Sequence, residues 1–138
     1  MIATLILPLV AQAAEPLPEC DQKEADMGIQ QAMNQCAGRD FAVADAELNA
    51  QWKITAAAMK QQDAEWPTYG VAMDSRPGFF DSLLEAQRAW LVYRDAHCRV
   101  DGYIARGGSM EPMLASLCKA HLTRQRTQQL KDLAEVPY

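Results

Sequence analysis

The sequence predicts an all-α protein, a small antiparallel bundle of three main helices stapled by two disulfides. Three observations support this fold class. Apolar residues recur at steps of three and four in three long segments, Gly and Pro collect between those segments, and no stretch alternates at the strand period of two. The chain of 138 residues also carries four cysteines, enough for two disulfide bonds. A chain of this length forms one domain.

The overall charge excludes one class of partner. The 13 basic residues are outnumbered by 18 acidic ones, which leaves a formal net charge of -5. Binding to nucleic acid needs clustered Lys and Arg that neutralise phosphates, so we expect no nucleic acid partner. An acidic surface is compatible with a basic protein partner.

Residues 1–13 form an apolar run that ends in the small-x-small sequence Ala11-Gln12-Ala13, a pattern typical of signal peptidase sites. The run lacks basic residues at its start, and a frayed apolar N-terminus is the alternative interpretation. It is too short to span a bilayer. We interpret residues 1–13 as a signal peptide. We expect that Cys20 is not lipidated, because Glu19 is too large and charged for the position before the cysteine of a lipoprotein cleavage box. We therefore expect a periplasmic or secreted protein without a membrane anchor.

Residues 14–28 contain two prolines and are expected to be an irregular lead-in to a single helical domain at 29–134. The first main helix is predicted over 29–62, where large side chains follow the helical period. The residues of this stripe are Phe41, Ala44, Leu48, Trp52, Thr55 and Met59.

The connection that follows, residues 63–78, contains two prolines and two glycines and is long for a compact helical domain. It carries Trp66, Tyr69 and Met73. Aromatic side chains usually bury, which favours a lid over the core. They are also favoured anchors at protein interfaces, which makes this loop a candidate partner-binding surface.

The second main helix is predicted over 79–106, and two apolar stripes predict that it lies at the centre of the bundle with neighbours on more than one side. The third is predicted over 110–134, after the turn Gly107-Gly108-Ser109. The first stripe of the second helix comprises Leu83, Ala86, Trp90, Tyr93, His97, Val100 and Ile104, and the second comprises Leu84, Gln87, Leu91, Arg94 and Cys98. The inner side of the third helix comprises Leu114, Leu117, Cys118, His121, Leu122, Leu130 and Leu133.

The four cysteines allow three pairings, which geometry ranks. Cys98 and Cys118 each lie ten residues from Gly108, so an antiparallel hairpin brings them level. Cys20 then pairs with Cys36 as the lead-in folds back, which requires the first helix to begin near residue 29 because bridged α-carbons lie within about 7 Å. The alternative in a reducing compartment is a zinc ion bound by Cys98, Cys118, His97 and His121. In an oxidising one we expect disulfides and no metal.

Antiparallel packing of the first two helices brings Asp45 level with about residue 96 and Asn49 with about residue 92, so Arg94 falls between them. We predict an Asp45–Arg94 ion pair, with Asn49 and Gln87 completing the hydrogen bonds. A planar guanidinium suits this position because it bonds two acceptors at once. Such a buried network is expected to fix helix register and not to catalyse a reaction.

These residues carry a resemblance to a known family. The segments Asp45-Ala46-Glu47-Leu48-Asn49, Gln87 to Cys98, Gly107-Gly108-Ser109 and Leu122-Thr123-Arg124-Gln125-Arg126, with the four cysteines, resemble the lysozyme inhibitor LprI-like family of bacterial secreted proteins. The similarity runs from Cys20 to about Leu130. It implies a helical, exported, disulfide-containing domain, with inhibition of lysozyme as an activity attached to some members.

Two functional hypotheses follow from these observations. The first is a lysozyme inhibitor that occludes its partner's cleft, because wall-degrading lysozymes are usually cationic and an acidic protein is steered toward them. The alternative is a non-inhibitory envelope interaction module with a structural role. No nucleophile elbow or metal-binding helix motif is present, so we expect no catalysis and no cofactor. The candidate partner-binding residues are Trp66, Tyr69, Met73, Ser109 and Glu111.

Overall fold

The computed structural model describes residues 15–66 and 74–136, which are helical with short connections and contain no strand. Helix α1 spans Gln22–Asp26, α2 spans Gln30–Glu65, α3 spans Phe79–Gly102 and α4 spans Glu111–Glu135. A 3₁₀ turn at Tyr103–Ala105 extends α3. The all-α prediction with three long helices is confirmed, whereas the predicted signal peptide at 1–13 lies outside the described residues.

The helices run up, down and up, so α2 and α4 are parallel and α3 is antiparallel to both. Asn34 near the start of α2 donates to the Ser109 carbonyl just before α4 (2.8 Å), and Thr55 donates to the Leu130 carbonyl (2.8 Å). The interface between α2 and α4 is the most extensive one. With 36 residues, α2 is about 54 Å long and passes through Gly38 as one helix.

The core changes in character along the bundle. Towards the C-terminal end of α2 it is made of large side chains, which form one cluster. Towards the N-terminal end the fully buried residues are mostly small, and they let the helices approach closely. The large cluster comprises Leu48, Met59, Leu83 and Leu130, flanked by Trp52, Ala58, Phe79, Phe80, Trp90 and Leu133. The small buried residues comprise Ala32, Ala37, Ala44, Cys98 and Ala120.

Both disulfides join the cysteines that the geometry of the hairpin and lead-in predicts. Cys98 and Cys118 clamp α3 to α4 with a Cα–Cα distance of 5.4 Å. Cys20 and Cys36 tie the lead-in to α2 with a Cα–Cα distance of 4.7 Å. Since Cys98 and Cys118 are bonded to each other, their thiolates are not available to the zinc site weighed as an alternative.

The lead-in is more ordered than the prolines at its start suggest. Asp21 caps α1 by accepting a hydrogen bond from the Glu24 amide (3.0 Å). Gly28 then adopts a φ of 83°, a left-handed conformation that Gly adopts without steric cost, and α2 begins two residues later. The expectation of a wholly irregular segment at 14–28 is therefore wrong for residues 22–26.

The prediction that α3 is the central helix is wrong. The stripe that contains Gln87, Arg94 and Cys98 is mostly buried, although its Leu91 is 37 % exposed, and Leu83 and Trp90 of the other stripe also belong to the core. In the other stripe, Tyr93 is 53 % exposed, Val100 is 64 % exposed and Ile104 is 83 % exposed. Only one face of α3 finds neighbours in a three-helix bundle, because α2 and α4 pack mainly against each other.

Candidate functional site

Arg94 of α3 occupies the boundary between the large and the small parts of the core. Its Nη1 donates to Asp45 Oδ1 at 3.0 Å and to Thr123 Oγ1 at 3.4 Å, and its Nε donates to Asp95 Oδ1 at 2.9 Å. Asn49 donates to the second oxygen of Asp45 (3.3 Å), in the register that the sequence predicts. The guanidinium is thus surrounded by acceptors from all three long helices.

Aromatic rings complete the environment of this guanidinium. Its carbon lies 5.0 Å from the centre of the Phe41 ring and 5.1 Å from that of Trp90. The Arg94 side chain is only 8 % exposed, whereas the Asp45 side chain is 38 % exposed. A cation buried between rings and carboxylates is stabilised in a single position. We infer that this cluster fixes the register of the three helices, a structural role.

Gln87 does not join the Arg94 cluster, contrary to expectation. It accepts a hydrogen bond from Arg126 Nε (2.9 Å), and Arg126 Nη1 in turn donates to Gln129 (3.0 Å). Gln87 lies seven residues before Arg94, which on a helix places the two side chains about 10 Å apart along the axis. This distance is too large for the two groups to share acceptors.

Arg126 has an incomplete set of partners. Its Nη2 is buried without a hydrogen-bond partner in the part of the chain that the structure describes. Burial lowers the pKa of the Arg126 guanidinium below its ordinary value, and the group remains charged because an arginine side chain is not deprotonated in proteins. Arg126 lies one helical turn from Leu122 and one turn from Leu130, two residues of the predicted inner side of the third helix, so its partly buried position was readable from the sequence.

Trp66, the one predicted partner-binding residue of the long connection that can be described, ends α2. It is half-exposed and its ring lies 5.5 Å from that of Phe79 in an edge-on contact. Tyr69 and Met73 lie outside the described residues. Beside Trp66 is a groove of about 920 Å³ whose lining includes Met59, Leu83 and Arg126. Trp66 is therefore available as an anchor at this end of the bundle.

Ser109 and Glu111 lie at the opposite end, in the turn between α3 and α4. Ser109 does not cap α4, because Met110 occupies the N-cap position and makes no side-chain hydrogen bond there. Glu111 instead accepts from the Gly107 amide (2.7 Å) and closes the turn. Trp66 and the turn with Ser109 and Glu111 therefore lie at opposite ends of α2, about 54 Å apart.

The lead-in lies at the same end as this turn. Arg39 donates to the Pro18 carbonyl (3.2 Å), and together with the Cys20–Cys36 bond this contact holds the lead-in against the first turns of α2. Residues 15–28 carry a net charge of −4, most of the net −5 of the whole chain, from five acidic residues and Lys23. The acidic residues are Glu15, Glu19, Asp21, Glu24 and Asp26, all exposed.

We refer to residues 15–28 and the turn 107–111 as the acidic end. Near it, Arg124 of α4 holds Asp40 of α2 in a two-pronged ion pair, of which one hydrogen bond measures 3.1 Å. The hydrogen bonds from Arg124 lower the pKa of the Asp40 carboxyl below its ordinary value of 3.8. Three exposed apolar side chains, Leu17, Met27 and Ile29, accompany the acidic residues.

Two features are absent from the described residues. Across 15–66 and 74–136, no three His, Cys, Asp or Glu side chains come together as metal ligands would. Within the same ranges, none of the helices combines the length and the apolar character needed to cross a bilayer.

Comparison with known proteins identifies the family. The chain is 45 % identical over 125 residues to an uncharacterized protein of Rhizobium meliloti (strain 1021), a match that covers 91 % of this chain and 85 % of that protein. No solved structure matches the chain. The sequence model of the family described as lysozyme inhibitor LprI matches residues 20–130, from the first cysteine of the lead-in to the last core leucine of the α2–α4 interface. The two disulfides and this match together indicate a location outside the cytoplasm. With most of its length matched, the chain belongs to the lysozyme inhibitor LprI family.

Proposed function

We propose that this protein is an exported lysozyme inhibitor that binds the enzyme through its acidic end and blocks access to the substrate cleft. It acts by protein–protein contact, without catalysis and without a cofactor. Family membership supports the partner, since the family is described by this activity. The mature protein is periplasmic or secreted after removal of residues 1–13.

The single observation that carries the choice of surface is the uneven distribution of charge. Residues 15–28 hold four of the five net negative charges, and the disulfide and Arg39 hold them in one place. A cationic enzyme is steered toward the most negative region of its partner, which raises the association rate. The Trp66 end also carries acidic residues, but they come from three separate segments and are interleaved with basic ones, whereas the five acidic residues of the lead-in lie within 12 consecutive positions that contain one lysine. At the Trp66 end the acidic residues include Asp63, Glu65, Asp74, Asp132 and Glu135, and the basic ones include Lys60, Arg76, Arg126 and Lys131.

The apolar residues of the acidic end supply the second requirement of an interface. Charge steers encounter and sets orientation, whereas the buried apolar centre of an interface supplies most of the affinity. Met27 and Ile29 are exposed and directly follow the acidic residues Glu24 and Asp26. This arrangement presents apolar anchors next to negative charges, which fits a basic protein surface.

An inhibition assay tests the proposal. Purified protein with both disulfides intact is titrated into a suspension of bacterial cell walls that lysozyme is degrading, and turbidity reports the rate. We expect a saturable loss of lysis that weakens as salt is added, because screening shortens the range of the attraction. Full lysis at a large molar excess of the protein would remove the proposed activity for the lysozyme used.

A further inference from the structure

An apolar stripe runs along the exposed side of α3 and its 3₁₀ extension. Its members recur at steps of three and four and are all exposed, and the stripe contains no Asp, Glu, Lys or Arg. It is about 33 Å long, since it covers 22 helical steps. We call it the outer stripe, and it comprises Ser82, Ala86, Ala89, Tyr93, His97, Val100 and Ile104.

The outer stripe differs from the scattered apolar residues that any protein surface carries. Val100, at 64 % exposure, and Ile104, at 83 %, lie one turn apart, and Val92 beside them is 72 % exposed. Ile54 of α2 is also 59 % exposed, but it stands alone, as single exposed apolar residues often do. A continuous apolar surface marks a contact with another molecule.

The order of side-chain sizes along the outer stripe makes it self-complementary. The N-terminal half is small (Ser82, Ala86 and Ala89), and the C-terminal half is larger (Val100 and Ile104). If a second copy of α3 lies antiparallel, with the two-fold axis at Tyr93, the stripe maps onto itself. Ser82 is then level with Ile104 of the second copy, Ala86 with Val100, and Ala89 with His97. Large side chains therefore face small ones towards both ends of the stripe, which suits close packing of two helices there, and the two Tyr93 side chains meet at the axis.

The charged residues beside the outer stripe are also compatible with an antiparallel two-fold axis. Glu85 and Arg99 lie on one flank of α3, because 14 helical steps return to within about 40° of the same direction. An antiparallel two-fold places this flank against itself, and Glu85 comes within about 3 Å of the level of Arg99 along the axis. Neither residue forms an ion pair within the described ranges. Two equivalent intermolecular pairs thus become available.

We propose that the outer stripe is a homodimer interface, in which a second copy of this chain packs α3 against α3 in an antiparallel arrangement. The interface is isologous, as two-fold dimers require. It accounts for the members of the first predicted stripe of α3 that one chain leaves exposed, namely Ala86, Tyr93, His97, Val100 and Ile104. The proposal does not depend on lysozyme binding, because the acidic end is a different surface.

Sedimentation equilibrium of the purified disulfide-bonded protein tests the proposal. We expect a concentration-dependent mass that approaches twice the value of the single chain. Val100→Asp should raise the dimer dissociation constant by about tenfold or more, because it places an unpaired charge in the apolar contact with Ala86 of the second copy. Ile54→Asp, an equally exposed change on α2, should leave it unchanged. A single-chain mass at every concentration, or a dimer that is insensitive to Val100→Asp, would overturn the proposal.

A charge exchange tests the antiparallel arrangement itself. Glu85→Arg or Arg99→Glu alone should weaken the dimer by about two- to tenfold, the range for exposed ion pairs that turn repulsive. The double variant should recover the original dissociation constant, because the signs are again opposite across the two-fold axis. Binding to an unrelated partner gives no such recovery, so failure of the double variant to recover would overturn the antiparallel contact. An unchanged far-UV circular dichroism spectrum of each variant shows that the fold is intact.

Discussion

At the scale of the residue, Arg94 connects the three long helices. It bonds Asp45 of α2, Asp95 of its own helix and Thr123 of α4. The pairing with Asp45 is predictable, because it follows from the lengths of two helices and one connection. Thr123 was predictable as well: the Cys98–Cys118 bridge brings residue 94 level with residue 122. Asp95 was not, since adjacent residues of a helix point about 100° apart.

Replacing Arg94 with Ala should lower the free energy of unfolding by about 3 kcal/mol, the lower end of the range for removing one partner of a buried pair. The lower end applies because Asp45 is partly exposed and regains water. Chemical denaturation measures the change. Arg88→Ala, at an exposed position of the same helix, is the matched control and should change stability by no more than about 0.5 kcal/mol. Equal stability of the two variants would show that the Arg94 cluster contributes nothing.

Asp40 provides a pH-dependent contribution. Its folded-state pKa is lowered by the Arg124 hydrogen bonds from 3.8, so folding favours the ionised carboxylate. This contribution is fully present above the unfolded pKa and disappears as pH falls through the folded pKa. Asp40→Asn should therefore cost about 0.5 kcal/mol near pH 7, as for a partly exposed pair, and progressively less as pH falls below 3.8 through the folded pKa.

Thermal unfolding of wild type and Asp40→Asn across that pH range measures the difference. Asp132→Asn changes an exposed acid on α4 that accepts a hydrogen bond from the Gln128 amide and pairs with no cation in the described ranges. It is the control and should show no comparable pH dependence. A stability difference between wild type and Asp40→Asn that persists unchanged at low pH would contradict the assignment.

At the scale of the element, the start of α3 depends on a residue of α2. Asp63 accepts hydrogen bonds from the amides of Phe79 (2.7 Å) and Phe80 (3.0 Å), so it caps a helix that begins 16 residues later. Gly78 leaves room for this approach, because an added Cβ would meet Asp63 Oδ1 at 2.5 Å. Sequence signals for helix caps are local, which explains why this distant cap was not predicted.

Removing that cap has a defined cost. Asp63→Ala should lower stability by about 1 kcal/mol, the usual loss for a capping carboxylate. Glu65→Ala removes the same charge two residues away. The Glu65 carboxylate accepts a hydrogen bond from Gln61 one turn earlier, so its loss should lower the free energy of unfolding by about 0.3 kcal/mol. Urea denaturation of both variants compares them, and an equal loss would argue against the cap.

The helices also show what periodicity can and cannot decide. It located α2, α3 and α4 to within a few residues, since apolar spacing is what buries a helix face. It could not decide which of the two stripes of α3 meets α2 and α4. The buried stripe is the more polar one, because Gln87 and Arg94 find acceptors inside the fold. The outer stripe is exposed in a single chain, and the proposed dimer would cover it.

At the scale of the whole molecule, function depends on where charge and apolar surface lie relative to the helical frame. The sequence shows that the chain is acidic, but only the fold shows that residues 15–28 sit beside the turn between α3 and α4 and far from Trp66. The candidate residues Trp66 and Glu111 therefore belong to different ends. The acidic end and the outer stripe are distinct surfaces, so a dimer leaves both acidic ends accessible.

Calorimetric titration of lysozyme with two charge-matched variants tests the central claim most directly. The first carries Glu15→Gln, Glu19→Gln and Glu24→Gln in the acidic end, and the second carries Glu65→Gln, Asp132→Asn and Glu135→Gln at the opposite end. Each removes three negative charges from exposed positions. We predict that the first variant weakens binding by about tenfold or more at low salt, while the second binds nearly as wild type does. Equal affinities for the two variants, or a larger loss for the second, would contradict docking through the acidic end.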